Sequence, residues 1–161
     1  TIDLTGLDFN TFYPVGLEGG DAKNIMHFQL SRFYADDTTT GNLGSAFLDM
    51  KTSAWSWGGI PVYNIVSYAA STYRSMLGAV TLRGYYVPVL WLRGSYAYKY
   101  RSNIPITIQV YTTPTSGFYS APYDYTIGPI SESVMSSKSA FLGTTHYTTP
   151  TVMGNSCNNW Y

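Results

Sequence analysis

GYYVPVLWLRGSYAYKYRSNIPITIQVY, residues 84–111, decides the fold class. Three runs of period-two alternation follow one another in it. Val87, Val89, Trp91 and Arg93 fall on one side of an extended chain, with Tyr86, Leu90 and Leu92 on the other. Tyr96, Tyr98 and Tyr100 then alternate with Ala97, Lys99 and Arg101. Ile104, Ile106, Ile108 and Val110 alternate in turn with Pro105, Thr107, Gln109 and Tyr111. Successive side chains of a strand point to opposite faces, so this alternation, rich in β-branched and aromatic residues, predicts half-buried strands. Gly94-Ser95 and Ser102-Asn103 are short turn-forming joints, which predicts an antiparallel meander rather than crossover units.

The same period extends in both directions. Ile2 and Leu4 open the chain, Asp8-Phe9-Asn10-Thr11 supplies turn formers, and Phe12-Tyr13-Pro14-Val15 reads as a strand. Pro14 lacks an N–H, which assigns that strand to a sheet edge or Pro14 to its start. Met26, Phe28 and Leu30 alternate with Ile25, His27 and Gln29, and Ala46, Leu48 and Met50 with Phe47, Asp49 and Lys51. Residues 36–42 are a polar loop. Asn64–Gly78 supports two readings: Ile65, Tyr68, Ala69, Tyr73, Met76 and Leu77 lie near a helical spacing, yet four Ser and Thr residues disfavour a helix. Residues 112–129 are punctuated by Pro and Gly and read as a long aromatic loop, with room for a short strand at Tyr123–Ile127. The expectation is one all-β domain over residues 1–161, an antiparallel β-sandwich.

Composition narrows the function. Charged residues make up 11% of the chain and aromatics 17%, with 16 Tyr and 4 Trp. A surface with so little ionic cover is suited to burial against other copies or to an aromatic-rich binding site. The formal net charge is zero, and nine scattered basic residues do not make the clustered patch that nucleic acid requires. No run of apolar residues is long enough for a helical membrane span, and no signal-peptide pattern is present. The chain opens at Thr1 in mid-pattern, as the end portion of a longer polypeptide would. Cys157 is the lone cysteine, so no intrachain disulfide can form, which fits assembly in a reducing compartment.

Catalytic chemistry finds few parts. Asp49, Asp124 and Glu132 are the carboxylates to consider for a glycosidase pair, and surface or turn roles account for them several times better. His27 and His146 stand apart, without a ligand cluster around either, so neither a metal nor another cofactor is expected. No Gly-x-Ser-x-Gly elbow or phosphate-binding glycine loop occurs. A non-enzymatic binding protein is the expectation. Tyr and Trp present broad apolar faces with a polar tip at low entropic cost, and sugar rings offer apolar C–H faces to stack on them. Trp55 and Trp57, beside the Gly58-Gly59 bend, are therefore candidate receptor-binding residues. So are Tyr73 with Arg74, and Tyr119, Tyr123 and Tyr125 of the Pro-rich stretch. Trp91, inside an apolar strand, reads as core. Tyr96, Tyr98 and Tyr100 share one face, open to subunit packing or to exposure.

Two segments carry a family likeness. IDLTGLDFNTFYPV, residues 2–15, resembles the D-L-T-x-L-D-x-x-T-[YF]-Y-P-V opening of the C-terminal receptor-binding domains of bacteriophage tail fibres. VLWLRGSYAYKY, residues 89–100, is similar to the W-L-R-G-G strand-turn of the same group, with Ser95 where a second Gly is common. The resemblance implies a homotrimer at the distal tip of a virion's fibre, assembled in the host cytoplasm and acting outside it. Its partner would be bacterial surface polysaccharide, such as lipopolysaccharide O-antigen, or an outer-membrane protein, bound without hydrolysis. The His-x-His iron pattern of some long-fibre tips has no counterpart here, so no metal column is expected. The rival readings are a polysaccharide depolymerase and a cellular carbohydrate-binding module or adhesin.

Overall fold

The computed structural model describes residues 1–19, 24–33, 45–52, 63–71, 76–83, 87–120 and 123–137. Along them run β1 (Ile2–Asp3), β2 (Thr11–Glu18), β3 (Met26–Arg32), β4 (Ser45–Thr52), β5 (Tyr63–Ser71) and β6 (Leu77–Arg83). They are followed by β7 (Val87–Arg93), β8 (Ala97–Ser102), β9 (Thr107–Val110), β10 (Thr115–Ser120), β11 (Tyr123–Ile127), β12 (Ile130–Ser131) and the short helix α1 (Glu132–Ser137). All pairings among these strands are antiparallel. One sheet has the order β1-β8-β3-β4-β5. Another has β12-β2-β7-β6, with β9 also on β2, and β10-β11 is a separate hairpin. The fold is all-β.

The period-two pattern places the core. Met26, Phe28, Leu30 and Arg32 of β3 are buried, as are Leu48, Met50 and Thr52 of β4 and Tyr98 of β8. Phe28 stacks on Tyr100 with ring centroids 5.8 Å apart. The apolar residues among these join Phe12, Val15 and Leu17 of β2, Val80 of β6 and Val89, Leu90, Trp91 and Leu92 of β7 in one apolar cluster that draws on both large sheets. Burying side chains of this size stabilises by about 1.5–3 kcal/mol each. Trp91 is core, as its place in the strand suggested.

Several sequence expectations need correction. The 84–111 stretch is not a meander, because β7, β8 and β9 do not pair with one another. β7 lies between β2 and β6, β8 between β1 and β3, and β9 joins β2. The joints explain why. Gly94 N–H donates to the Thr11 carbonyl and Ser95 N–H to the Leu4 carbonyl, each at 2.9 Å, so the turn's donors go to the opening segment and the chain leaves β7's sheet for β8's. At the second joint Asn103 extends the β8–β3 ladder. Its Oδ1 accepts from the His27 amide at 2.6 Å and its Nδ2 donates to the Ile25 carbonyl at 3.0 Å, before the chain turns away toward β2. β7 is also buried along its whole length rather than on one face. Tyr96 and Tyr98 are buried within the subunit, and neither is exposed.

Pro14 sits inside β2, which has neighbours on both sides, and not at an edge. β12 covers Thr11 and Phe12, while β9 begins opposite Val15. The Tyr111 amide donates to the Pro14 carbonyl, which puts residue 14's polar groups on the β9–β12 side, in the gap between those two short strands. The missing N–H falls where no partner is required. Tyr63–Ser71 is strand, which removes the helical reading for that part of Asn64–Gly78; residues 72–75 lie outside the described residues. The long loop expected over 112–129 is mostly the β10–β11 hairpin.

The two segments that carry the family likeness fold onto each other. β1 pairs with β8 through Ile2 opposite Tyr98, and β2 with β7 through Phe12 opposite Arg93. Between them, Leu4 N–H donates to the Tyr96 carbonyl, and Ser95 Oγ donates to the Leu7 carbonyl at 2.6 Å. A Cβ on Gly94 would collide with the Asp8 carbonyl and lie 2.8 Å from the Tyr13 ring, so only glycine admits this approach. Ser95 has φ of 74°, the left-handed region that glycine adopts without strain. Arg93, fully buried, donates to the Phe9 carbonyl at 2.9 Å and to Glu132 Oε1 at 2.7 Å, with its guanidinium over the Phe9 and Phe12 rings.

Candidate functional site

The residues of β3, β4 and β8 that are out of phase with the core form the candidate site. Their parity turns Gln29, Ser31, Phe47, Asp49, Lys99 and Arg101 outward, and Phe33 follows directly after β3. The register sets these residues in rows across the strands. Arg101 lies opposite Gln29, and Gln29 opposite Asp49; Lys99 lies opposite Ser31, and Ser31 opposite Phe47. Together with Leu30, Leu48 and Tyr100 they line an open groove of about 490 Å³, within the size range of small-ligand sites.

The two phenylalanines are the unusual members. Phe33, just past β3, is 51% and Phe47, on β4, 46% exposed, while the other large apolar side chains of these two strands face the core. The polar members are partly fixed already. His27 Nε2 and Asp49 Oδ1 are 2.5 Å apart, and Gln29 Nε2 donates to Asp49 Oδ2 at 3.3 Å, so both carboxylate oxygens are engaged. A bulge in the β4–β5 ladder falls beside Asp49, where such irregularities re-aim a side chain. Lys99 and Arg101 stand along the β8 side, and both are exposed. The groove therefore offers aromatic faces at one end, hydrogen-bonding groups in the middle and cations along one wall. Because the residues stand on paired strands, a ligand meets them with little ordering left to do.

Trp55, Trp57, Tyr73 and Arg74 lie outside the described residues. Tyr119, Tyr123 and Tyr125 are placed by backbone alone, on the two strands of the β10–β11 hairpin. Tyr119 is opposite Asp124, Tyr123 opposite Ser120 and Tyr125 opposite Phe118, and their side chains lie outside the described set. Of the carboxylates weighed for catalysis, Asp49 is held by His27 and Gln29 on one sheet. Glu132 is held by Arg93 beside the other. Among the described residues no group of three or more His, Cys, Asp or Glu could hold a metal ion.

Sequence reasoning missed the groove. Phe47 out of phase with Leu48 was a local signal, but nothing local tells that β8 lies beside β3, some 70 residues earlier in the chain. Asp8, by contrast, was legible as a turn residue. Asp3 accepts from the Thr5 hydroxyl and amide, and Asp8 from the Thr11 hydroxyl and the Asn10 amide. Those bonds hold both carboxyls below the usual aspartate range. In comparison with known proteins, the chain matches no family model, no curated protein and no solved structure.

Proposed function

We propose that the chain is the host-recognition tip of a bacteriophage tail fibre, an antiparallel β-sandwich assembled as a homotrimer that binds bacterial surface polysaccharide without cleaving it. The observation that carries the binding part is the open groove on β3, β4 and β8, where exposed Phe33 and Phe47 stand beside Gln29, Ser31 and Asp49. Stacking of C–H faces on aromatic rings, bordered by amide, hydroxyl and carboxylate groups, is the chemistry of glycan recognition. Support for the tail-fibre part is the likeness of residues 2–15 and 89–100, which form one interlocked unit rather than two scattered matches. The low charge content and the exposed Ile25 and Val134, outside the groove, favour association of copies. Single sites of modest affinity would combine by avidity in a trimer.

Two measurements test this reading. Gel filtration with light scattering should give three times the 17.9 kDa of the chain, and a monomer at micromolar concentration would remove the trimer. Purified protein should adsorb to cells of a susceptible strain and be displaced by polysaccharide extracted from that strain, with no new reducing ends formed. Adsorption abolished by protease treatment of the cells and untouched by polysaccharide would transfer the receptor to an outer-membrane protein. Adsorption to no strain in a broad panel would overturn the proposal.

A further inference from the structure

One position of the groove takes its shape from its neighbours. Ser31, on the outward face of β3, has Phe47 directly opposite it on β4 and Phe33 two residues further along its own chain. Phe33 follows the last pair of that ladder, Arg32 opposite Ala46, and therefore stands diagonal to Phe47. Directly opposite residues hold their Cβ atoms about 4.5–5.5 Å apart, and diagonal ones roughly 7–8 Å. A small side chain beside two large ones leaves a notch, with the two rings as its walls and the Ser31 hydroxyl at its floor. Both rings are about half exposed, so the notch opens to solvent. Ser31 is half-buried, and among the described residues its hydroxyl has no hydrogen-bond partner, which leaves a donor available there.

We propose that this notch takes an acetyl group carried by a sugar of the receptor glycan, with the methyl between Phe33 and Phe47 and the carbonyl oxygen accepting from the Ser31 hydroxyl. A methyl held between two rings needs two carbon–carbon contacts of about 3.5–4.0 Å each. Together these match the roughly 7–8 Å between the two phenylalanine positions. The occupant must also bring an apolar end and an acceptor side by side, because a hydroxyl covered by a ligand without an acceptor loses its water and gains nothing. The methyl of a 6-deoxy sugar would cover the rings and leave the Ser31 donor unmet. A hydroxymethyl group would meet the donor and put a polar group between the rings. An acetyl carries both ends on one carbon, whether it is joined to the sugar as an ester or as an amide. These contacts involve no charged group. The assignment rests on the glycan-receptor reading and names the substituent that the groove selects.

The test uses the 161-residue chain and polysaccharide extracted from a strain to which it adsorbs. The extract is offered as competitor untreated, after mild alkali, which removes acetyl esters and spares amides, and after strong alkali, which removes both. A fourth sample is the last product re-acetylated at its amines. Loss of the acetyl should raise the half-inhibitory concentration at least about tenfold. A loss already present after mild alkali identifies an ester. One that needs strong alkali and is reversed by re-acetylation identifies an amide. Ser31→Ala and Phe47→Ser should each weaken competition by the untreated extract, and removing the acetyl should then cost these variants little more, since its contacts are already gone. Ser31→Leu fills the notch and should behave the same way. Phe47 is exposed and Ser31→Ala removes a single oxygen, so melting curves of these two variants should match wild type. Competition within about twofold after every treatment would overturn the acetyl assignment and leave the glycan reading intact. Acetyl-dependent binding that ignores Ser31→Ala, Ser31→Leu and Phe47→Ser would overturn the placement in this notch. If no extract competes at all, the glycan reading itself fails.

Discussion

Arg93 and Glu132 allow a prediction whose sign is not obvious from counting contacts. The arginine is completely buried, whereas the Glu132 side chain remains 26% exposed. Removing the carboxylate by Glu132→Ala leaves a guanidinium away from water, still bonded to the Phe9 carbonyl and lying over two ring faces. Breaking a buried pair from one side typically costs about 3–5 kcal/mol. For a domain of this length that lowers Tm by about 6–20 °C. Arg93→Met acts differently, because it keeps much of the side-chain volume and removes the buried charge. What remains is a Phe9 carbonyl that has lost the Arg93 donor, a cost of about 1–3 kcal/mol at most, and a carboxylate that can rehydrate. The double variant Arg93→Met/Glu132→Ala should therefore be more stable than Glu132→Ala alone. Urea unfolding at fixed subunit concentration, read by Trp fluorescence and by circular dichroism, measures all four proteins of the cycle. A double variant less stable than Glu132→Ala, or Glu132→Ala within about 1 kcal/mol of wild type, would refute this account of the buried charge.

The remaining predictions concern the same turn and its neighbours. Gly94→Ala puts a Cβ into the Asp8 carbonyl and against the Tyr13 ring, both fixed by other bonds, and should destabilise by about 1–3 kcal/mol or more in thermal melts. Ser95→Gly should lie within about 1 kcal/mol of wild type, since relief of the positive φ offsets loss of the Oγ bond to Leu7; Ser95→Ala keeps the strain, loses the bond and should be the less stable of the two. Asp3 and Asp8 have folded pKa values below the ordinary 3.8, so their contribution to stability is complete above that value and is lost as pH falls through the lower folded values. Tm should accordingly drop as pH falls below the ordinary aspartate value, and the drop should be shallower in Asp8→Asn, whose reference stability at pH 7 is lower.

Alternation along the chain was enough to assign faces. Phe28 against Gln29 and Leu48 against Asp49 separate core from surface as the period demands, and Trp91 lies inside as an apolar strand position should. Alternation is silent about partners. It reads Gly94-Ser95 as a hairpin joint, because the residues taking that turn's donors, Leu4 and Thr11, lie more than 80 positions earlier. The same blindness assigned Pro14 to an edge: the gap between β12 and β9 exists only once two distant segments have met on β2. The candidate groove was illegible for this reason, being assembled from three strands whose adjacency no local pattern records. Glu132 looked like a possible acid and is a counter-ion, which its neighbour Arg93, 39 residues away, decides.

The interlocked opening segment has a consequence for how the chain acquires its shape. Among the described residues β1 and β2 have no strand partner before residue 87: their ladders are with β7, β8, β9 and β12. During synthesis residues 1–18 must wait, apolar FYPV included, until the strands that begin about seventy residues later have been made. High contact order of this kind slows folding and prolongs exposure of sticky intermediates. A nascent chain interrupted before Glu132 would also leave Arg93 without its counter-ion. Prematurely terminated products should then be marked for chaperones or proteolysis, so that quality control over synthesis is written into the connectivity itself.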